Sequence, residues 1–289
     1  MSLLSSDSLL LYLTPDKVQA VHLRGWRSHI VGLHQLPVTS ESSDDWQAVL
    51  ETALRLVKTL APNSVRILLS DQLVRYSCFP WRDALRNEAE ELAFAKLAFE
   101  DTYGAESSVG WRMSFSNEAP GLNRLVAAVP EGLIAGLQLG LAQAKVRLTS
   151  VRPQLVAAVQ AFSKSLPKVG WIMSHEPGRL SIAGWDASGW HWVGSNRMGS
   201  DAPQMLVLRL QQELMLAGAW PAATESPILV SVFGPTLPAH DWVAVDGLQF
   251  TPWVMPANVL TRLEQKTDGA LMTESAIADF SQALMGVLA

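Results

Sequence analysis

The sequence predicts an α/β chain built as two successive halves, and three observations carry that expectation. Residues 124–162, RLVAAVPEGLIAGLQLGLAQAKVRLTSVRPQLVAAVQAF, read as strand, helix, strand, helix. The composition then changes after Lys164, and seven of the 11 tryptophans fall between Trp171 and Trp253. The order of strands, helix, strand, helix also recurs in both halves, although their sequences share no visible identity. A chain of 289 residues has room for one large core or two smaller ones.

Taken in order, the apolar runs 9–13 and 17–23 predict two strands joined by the Thr14-Pro15-Asp16 turn. Residues 28–36 predict a less regular third strand, followed by a polar link at 40–45 with Asp44 as the candidate helix cap. The next helix carries Trp46, Val49, Leu50, Ala53, Leu54, Val57 and Leu60 on one side. Pro62-Asn63 ends it, and 65–69 form another strand. In the mixed stretch 70–104, Asp83 is placed as the cap of a long helix ended by Gly104. Its expected inner face is Leu85, Ala89, Leu92, Lys96 or Leu97, Phe99 and Tyr103. Glu88, Glu90, Glu91, Glu100 and Asp101 make the other face acidic, either simply solvated or a partner surface. A strand over 111–115 and a loop over 116–123 lead to the apolar strand 125–129, which Pro130 closes. Glu131 opens a helix with Leu133, Ile134, Leu137, Leu141 and Ala144 inward. Val146, Leu148 and Val151 suggest a returning strand, so that this helix crosses between two strands of one sheet. Pro153 suits a first helical position, and Leu155, Val159 and Phe162 give the next helix its core face.

In the second half, 169–174, 179–185 and 190–194 predict strands joined by turns at 175–178 and 186–189. Trp190 and Trp192 are expected on one strand face with His191 pointing away, a pair that either packs or binds a sugar or peptide. A helix over 203–217 turns Leu206, Leu210, Glu213 or Leu214, and Ala217 inward. Residues 228–233 form an apolar strand before Gly234-Pro235, and a final helix over 274–288 carries Ile277, Phe280, Leu284 and Leu288 on one face.

Charge and motif content exclude several classes of function. A formal net charge of −5 with scattered cations does not suit nucleic acid. Cys78 is alone, so no disulfide framework forms within the chain, and no cluster of His and Cys suggests zinc. No phosphate loop, GxGxxG, HExxH, CxxC or GxSxG elbow occurs. Asp71, after a strand, is either a turn former or a candidate acid or base. The start of the chain lacks a basic n-region and a cleavage site, and no apolar window reaches the ~20 residues of a membrane span. Gly132, Gly136 and Gly140, spaced i, i+4, i+8, are read as a smooth face for packing on a sheet rather than a membrane helix pair. The expectation from the residues is a soluble cytoplasmic protein.

With these elements in place, the chain resembles the PilM-type actin-like proteins of type IV pilus assembly and the cytoplasmic domains of type II secretion L proteins (GspL-like, MshI-like). The residues that carry the likeness are the 124–162 segment, LLLYLTPDKVQAVHL as a first hairpin, VRILLSDQLVRYSCFPW leading to an insert, and the closing DFSQALMGVLA. The resemblance implies a two-domain actin-like α/β fold (ASKHA, with ribonuclease H-like halves) and an inserted subdomain in the first half. It implies a first domain over 1–165 with the insert at about 74–123, and a second over 166–289 whose last helix, 274–288, packs back on the first. In nucleotide-binding members three turns hold Mg²⁺ and phosphate with an acid and glycines. Here Tyr12 falls at the first acidic position, Thr14 at its glycine and Gln19 where a lysine often stands. Met173 or Ser174 falls at the second acid, and the third turn supplies only Gly234, with Pro235 removing a donor. The resemblance therefore implies a degenerate nucleotide site, with no cofactor, no metal and no catalysis.

The implied role is a scaffold that takes the cytoplasmic tail of a bitopic inner-membrane partner, with the assembly ATPase as a second partner. Arg75, Tyr76, Trp81 and Arg82 are its expected exposed anchors, within 73–92. Two readings compete with it: an active ATP-binding enzyme of the actin and sugar-kinase superfamily, and carbohydrate binding by the tryptophan-rich half.

Overall fold

In a computed structural model, residues 7–25, 29–39, 46–85, 87–162, 166–199, 202–219, 227–234 and 247–252 are described. The elements run β1 (Asp7–Leu13), β2 (Lys17–Arg24), β3 (His29–Pro37), α1 (Trp46–Leu60), β4 (Ser64–Leu69) and a one-turn helix at Asp71–Leu73. Then come β5 (Arg75–Phe79), α2 (Glu88–Tyr103), β6 (Trp111–Phe115), β7 (Arg124–Pro130), α3 (Glu131–Gln143), β8 (Arg147–Pro153) and α4 (Gln154–Phe162). The remainder is β9 (Gly170–Glu176), β10 (Arg179–Asp186), β11 (Gly189–Arg197), α5 (Pro203–Leu216), β12 (Ile228–Phe233) and β13 (Leu248–Pro252). The expected closing helix and the Asp44 cap lie outside the described residues.

The described residues divide into two compact units. One holds those within 7–73 and 130–161, the other those within 74–129 and 162–252. The first unit is built on a sheet of order β3-β2-β1-β4-β8. β1 pairs antiparallel with β2 and parallel with β4, which pairs parallel with β8. Leu9 to Leu13 are all buried, because a central strand covered on both faces needs an unbroken apolar run rather than alternation. α1 and α3 pack together, and the glycine stripe explains how. A Cβ on Gly132, Gly136 or Gly140 would strike Trp46, Leu50 or Leu54 respectively. The stripe is thus a seat for a parallel helix rather than for a sheet, a correction forced by the matching i, i+4, i+8 rows on the two helices. α1 has a second face, Val49, Thr52, Ala53, Leu56 and Val57, that is fully buried. Ala144, expected inward, is the exposed residue that ends α3.

The second unit contains the sheet β11-β10-β9-β12-β13 and the three-stranded sheet β5-β7-β6. The first of these mirrors the strand order of the first unit, but β13 was not foreseen. β7 and β8 belong to different sheets, so α3 does not cross between two strands of one sheet as expected. Length allowed that connection, but β8 joins β4 instead. α2 starts later than Asp83 and is capped by Asn87, whose side chain accepts from the Glu90 N–H. Its core face is Ala95 and Phe99, with Leu92, Phe94 and Ala98 packed beside them. Leu97 is 60% exposed because at 100° per residue it lies on the far side from Phe99, and Lys96, at the edge of the buried stripe, is exposed too. Gly104 ends the helix with φ 99°, as expected.

Candidate functional site

The β1–β2 turn is closed by its own side chains. Thr14 Oγ1 donates to Asp16 Oδ1 at 2.5 Å and accepts from the Lys17 N–H at 3.1 Å. The Thr14 N–H itself donates to the Lys17 carbonyl at 3.0 Å. The N–H groups of Thr14 and Lys17 are thereby satisfied within the turn itself. Tyr12 is buried and its hydroxyl donates to Gln154 Oε1 at 2.6 Å, on the first residue of α4. Gln19 is also buried, and its Nε2 donates to Gln35 across the β2–β3 pair at 2.9 Å. Asp71 is no free acid or base. It is fully buried, and its Oδ1 accepts the Leu155 N–H at 3.0 Å, a carboxylate set at the positive end of α4.

In the second unit, β9 runs on to Glu176, so its turn lies three or two residues beyond Met173 and Ser174, both buried within the strand. The turn is Glu176-Pro177-Gly178-Arg179, with Gly178 at φ 74°. An acid and a glycine two residues on are therefore present here, although Glu176 is buried and Pro177 offers no N–H donor. Gly234 follows β12, where a Cβ would meet the His175 carbonyl at 3.1 Å. Pro235 lies outside the described residues.

The four expected anchors divide into two clusters. Arg75 stacks its guanidinium over the Trp111 ring at 4.3 Å and over Tyr103 at 5.4 Å. Tyr76, the next residue on β5, is 2% exposed, which corrects its place among exposed anchors. Alternation along β5 turns its ring inward. The Tyr103 hydroxyl bridges its backbone, donating to the Tyr76 carbonyl at 2.7 Å and accepting from its N–H at 3.2 Å. The second cluster is half-exposed. Trp81 donates its ring N–H to Asp83 at 2.8 Å, and its backbone N–H donates to Asn123 at 3.0 Å. Arg124 lies over Trp81 at 5.4 Å and pairs with Glu91 at 3.2 Å. Arg82 is exposed and reaches over Phe94 at 5.9 Å. Sequence reading missed Tyr103, Trp111, Asn123 and Arg124 as groups that order these anchors, since they act from 27 or more positions away and leave no local signal. Cys78, between the clusters in sequence, is pushed up to about 12 by burial, so its thiol stays protonated and unreactive.

Among the described residues, Trp190 and Trp192 do not form a stacking platform. A bulge in the β10–β11 pair places Trp192 opposite Gly184 and Trp190 opposite Trp185, on opposite faces of the sheet. Trp190 packs on Trp185 with ring centroids 5.6 Å apart and donates to Glu118. Trp192 packs on the core under α5 and donates to the buried Glu213 at 3.0 Å. The expected shared face is thereby split, and with it the basis of the carbohydrate reading. Among the described residues no group of acids, His and Cys could hold a metal, and no helix is long and apolar enough to cross a membrane.

No family model and no curated protein matches the chain. Solved structures do. The cytoplasmic domain of EpsL, an inner-membrane component of the type II secretion system of Vibrio cholerae, matches with a TM-score of 0.53 and 14% identity, over 93% of this chain and 99% of that one. The PilM–PilN type IV pilus biogenesis complex matches with a TM-score of 0.56 and 14% identity, over 97% of this chain and 98% of that one. A Bacteroides thetaiotaomicron protein with an actin-like ATPase fold and unknown function gives 0.54 and 11%, over 97% and 95%. The chain therefore has the α/β actin-like ATPase fold, with two mixed five-stranded sheets and an inserted three-stranded sheet.

Proposed function

We propose that this protein is a non-catalytic scaffold in the inner-membrane platform of a type IV pilus or type II secretion system. On this reading it is cytoplasmic and takes the cytoplasmic tail of a bitopic membrane partner, with the assembly ATPase as a second partner. The observation that carries the reading is the near-complete coverage of both chains in the likeness to the pilus complex and to the secretion component. The absence of catalysis is supported by the β1–β2 turn, where Tyr12 and Thr14 replace the metal-holding acid and the open glycine and spend their hydroxyls internally.

The tail is proposed to dock on the insert beside Arg75, Trp81 and Arg82, where aromatic and guanidinium groups are held in place by stacking before any partner arrives. Titration calorimetry of the full chain against synthetic tail peptides tests this. Trp81→Ala and Arg75→Ala should each weaken binding by about 30-fold, the scale of a central anchor, with an unchanged circular dichroism spectrum. Wild-type affinity in both variants would remove the docking site.

One observation favours a second reading, retained nucleotide binding: the Glu176-Pro177-Gly178 turn keeps the acid and glycine spacing. Millimolar Mg-ATP would then raise the melting temperature. The scaffold reading expects no such rise, and a rise that Glu176→Gln abolishes would favour the nucleotide instead.

A further inference from the structure

Within the first unit, the face of β1, β4 and β8 that meets α4 contains a cavity of about 100 Å³. Leu10, Arg66, Leu68, Ser150, Arg152 and Ala157 line it. The strand register explains this gathering. Leu10 lies opposite Arg66, Arg66 opposite Ser150, and Leu68 opposite Arg152, so alternation turns all five to one side. The β4–β8 register slips between Val65 and Arg66, and Thr149, the extra residue, donates its hydroxyl to the Val65 carbonyl at 3.0 Å. That bulge is what aims Ser150 and Arg152 at the cavity beside Arg66.

Arginine is an unusual choice for such a lining. Both guanidiniums are half-buried, and among the described residues neither has a carboxylate partner. Arg152 is steadied only by a neutral acceptor, Gln160 Oε1 at 2.8 Å on α4. Burial and the charge of Arg152 both work against the charged form of Arg66 and hold its pKa below the ordinary value. Two like charges beside leucine walls are costly unless something anionic lies between them. We infer that this recess binds a phosphate or phosphomonoester group, held by the two guanidiniums with the Ser150 hydroxyl as a further donor. Its size admits one tetrahedral oxyanion, and the planar donor forks of arginine suit phosphate oxygens. The inference is independent of the tail-binding proposal and uses none of its residues.

The test is thermal melting of the full chain in potassium phosphate and in potassium chloride at matched ionic strength. At phosphate tenfold above its Kd the melting temperature should rise by about 3–5 °C over chloride. Arg66→Leu should melt at or above the wild-type temperature in chloride, because it removes the repulsion, and should lose the phosphate-specific rise. Arg152→Gln should lose the rise as well. A matching response to glycerol 3-phosphate would assign the site to phosphomonoesters, and a response to inorganic phosphate alone to the free anion. Equal melting in phosphate and chloride, or a rise that survives in both variants, would overturn the site.

Discussion

At the start of β1, Asp7 accepts from His22 Nε2 at 2.5 Å and from Arg24 Nη2 at 3.0 Å. Burial works to raise its pKa, but the hydrogen bonds and charges of His22 and Arg24 outweigh it and hold the carboxyl below the usual range. A depressed carboxyl contributes stability above its unfolded pKa of about 3.9 and loses it as pH falls through the folded value. Asp7→Asn should therefore lower the urea midpoint at pH 7, and the gap to wild type should narrow below about pH 4. At this scale the residue types at Tyr12, Thr14 and Gln19 were legible as departures from an acid, a glycine and a lysine. The sequence could not show that Tyr12 reaches Gln154, or that Asp71 caps the helix carrying it, because both partners lie more than 80 positions away. The predicted turn at 175–178 already held Glu176, but the acidic position was put at Met173 or Ser174, because β9 runs two residues further than the expected 169–174.

Among the elements, α1 and α3 show how spacing can be read correctly and its partner misread. The i, i+4, i+8 glycines announced close packing, but only the structure identifies Trp46, Leu50 and Leu54 as what they admit. Gly132→Leu should destabilise the fold by about 2–3 kcal/mol in urea melts, because the Trp46 ring cannot yield as a flexible chain end would. Leu139→Ala, on the side of α3 where Leu139 is 62% exposed, should be close to neutral. Strand spans were legible to within a few residues wherever apolar residues ran together, as in β12, which matches 228–233 throughout. The β10–β11 bulge was not, since one inserted residue leaves the residue pattern intact while turning Trp190 and Trp192 to opposite faces. β13, LQFTP, was missed for a related reason: as an edge strand it ends in proline and buries little of itself.

For the molecule as a whole, the sequence disclosed the repeated order of elements but not how segments are shared. Val74–Val129 forms one compact unit with Phe162–Trp253. The joint is visible at Asn123, whose N–H donates to the Ser188 carbonyl at 2.7 Å and whose own carbonyl accepts from the Trp190 N–H at 3.3 Å. Hydrogen exchange should therefore show the insert strands β5 and β7 opening together with β9–β11, and separately from β1 and β4. Protection of β5 that follows β1 instead would contradict a shared unit. The same interleaving constrains how the chain matures as it is made. β4 leaves the ribosome before β8, its parallel neighbour, and waits for the whole of 74–146 to follow. The insert in turn waits for β11, more than 100 residues after β5 begins. The first sheet cannot close on the growing chain until just past its midpoint and the second unit only later, and shielding the apolar strands β1 and β4 in that interval becomes a task for chaperones.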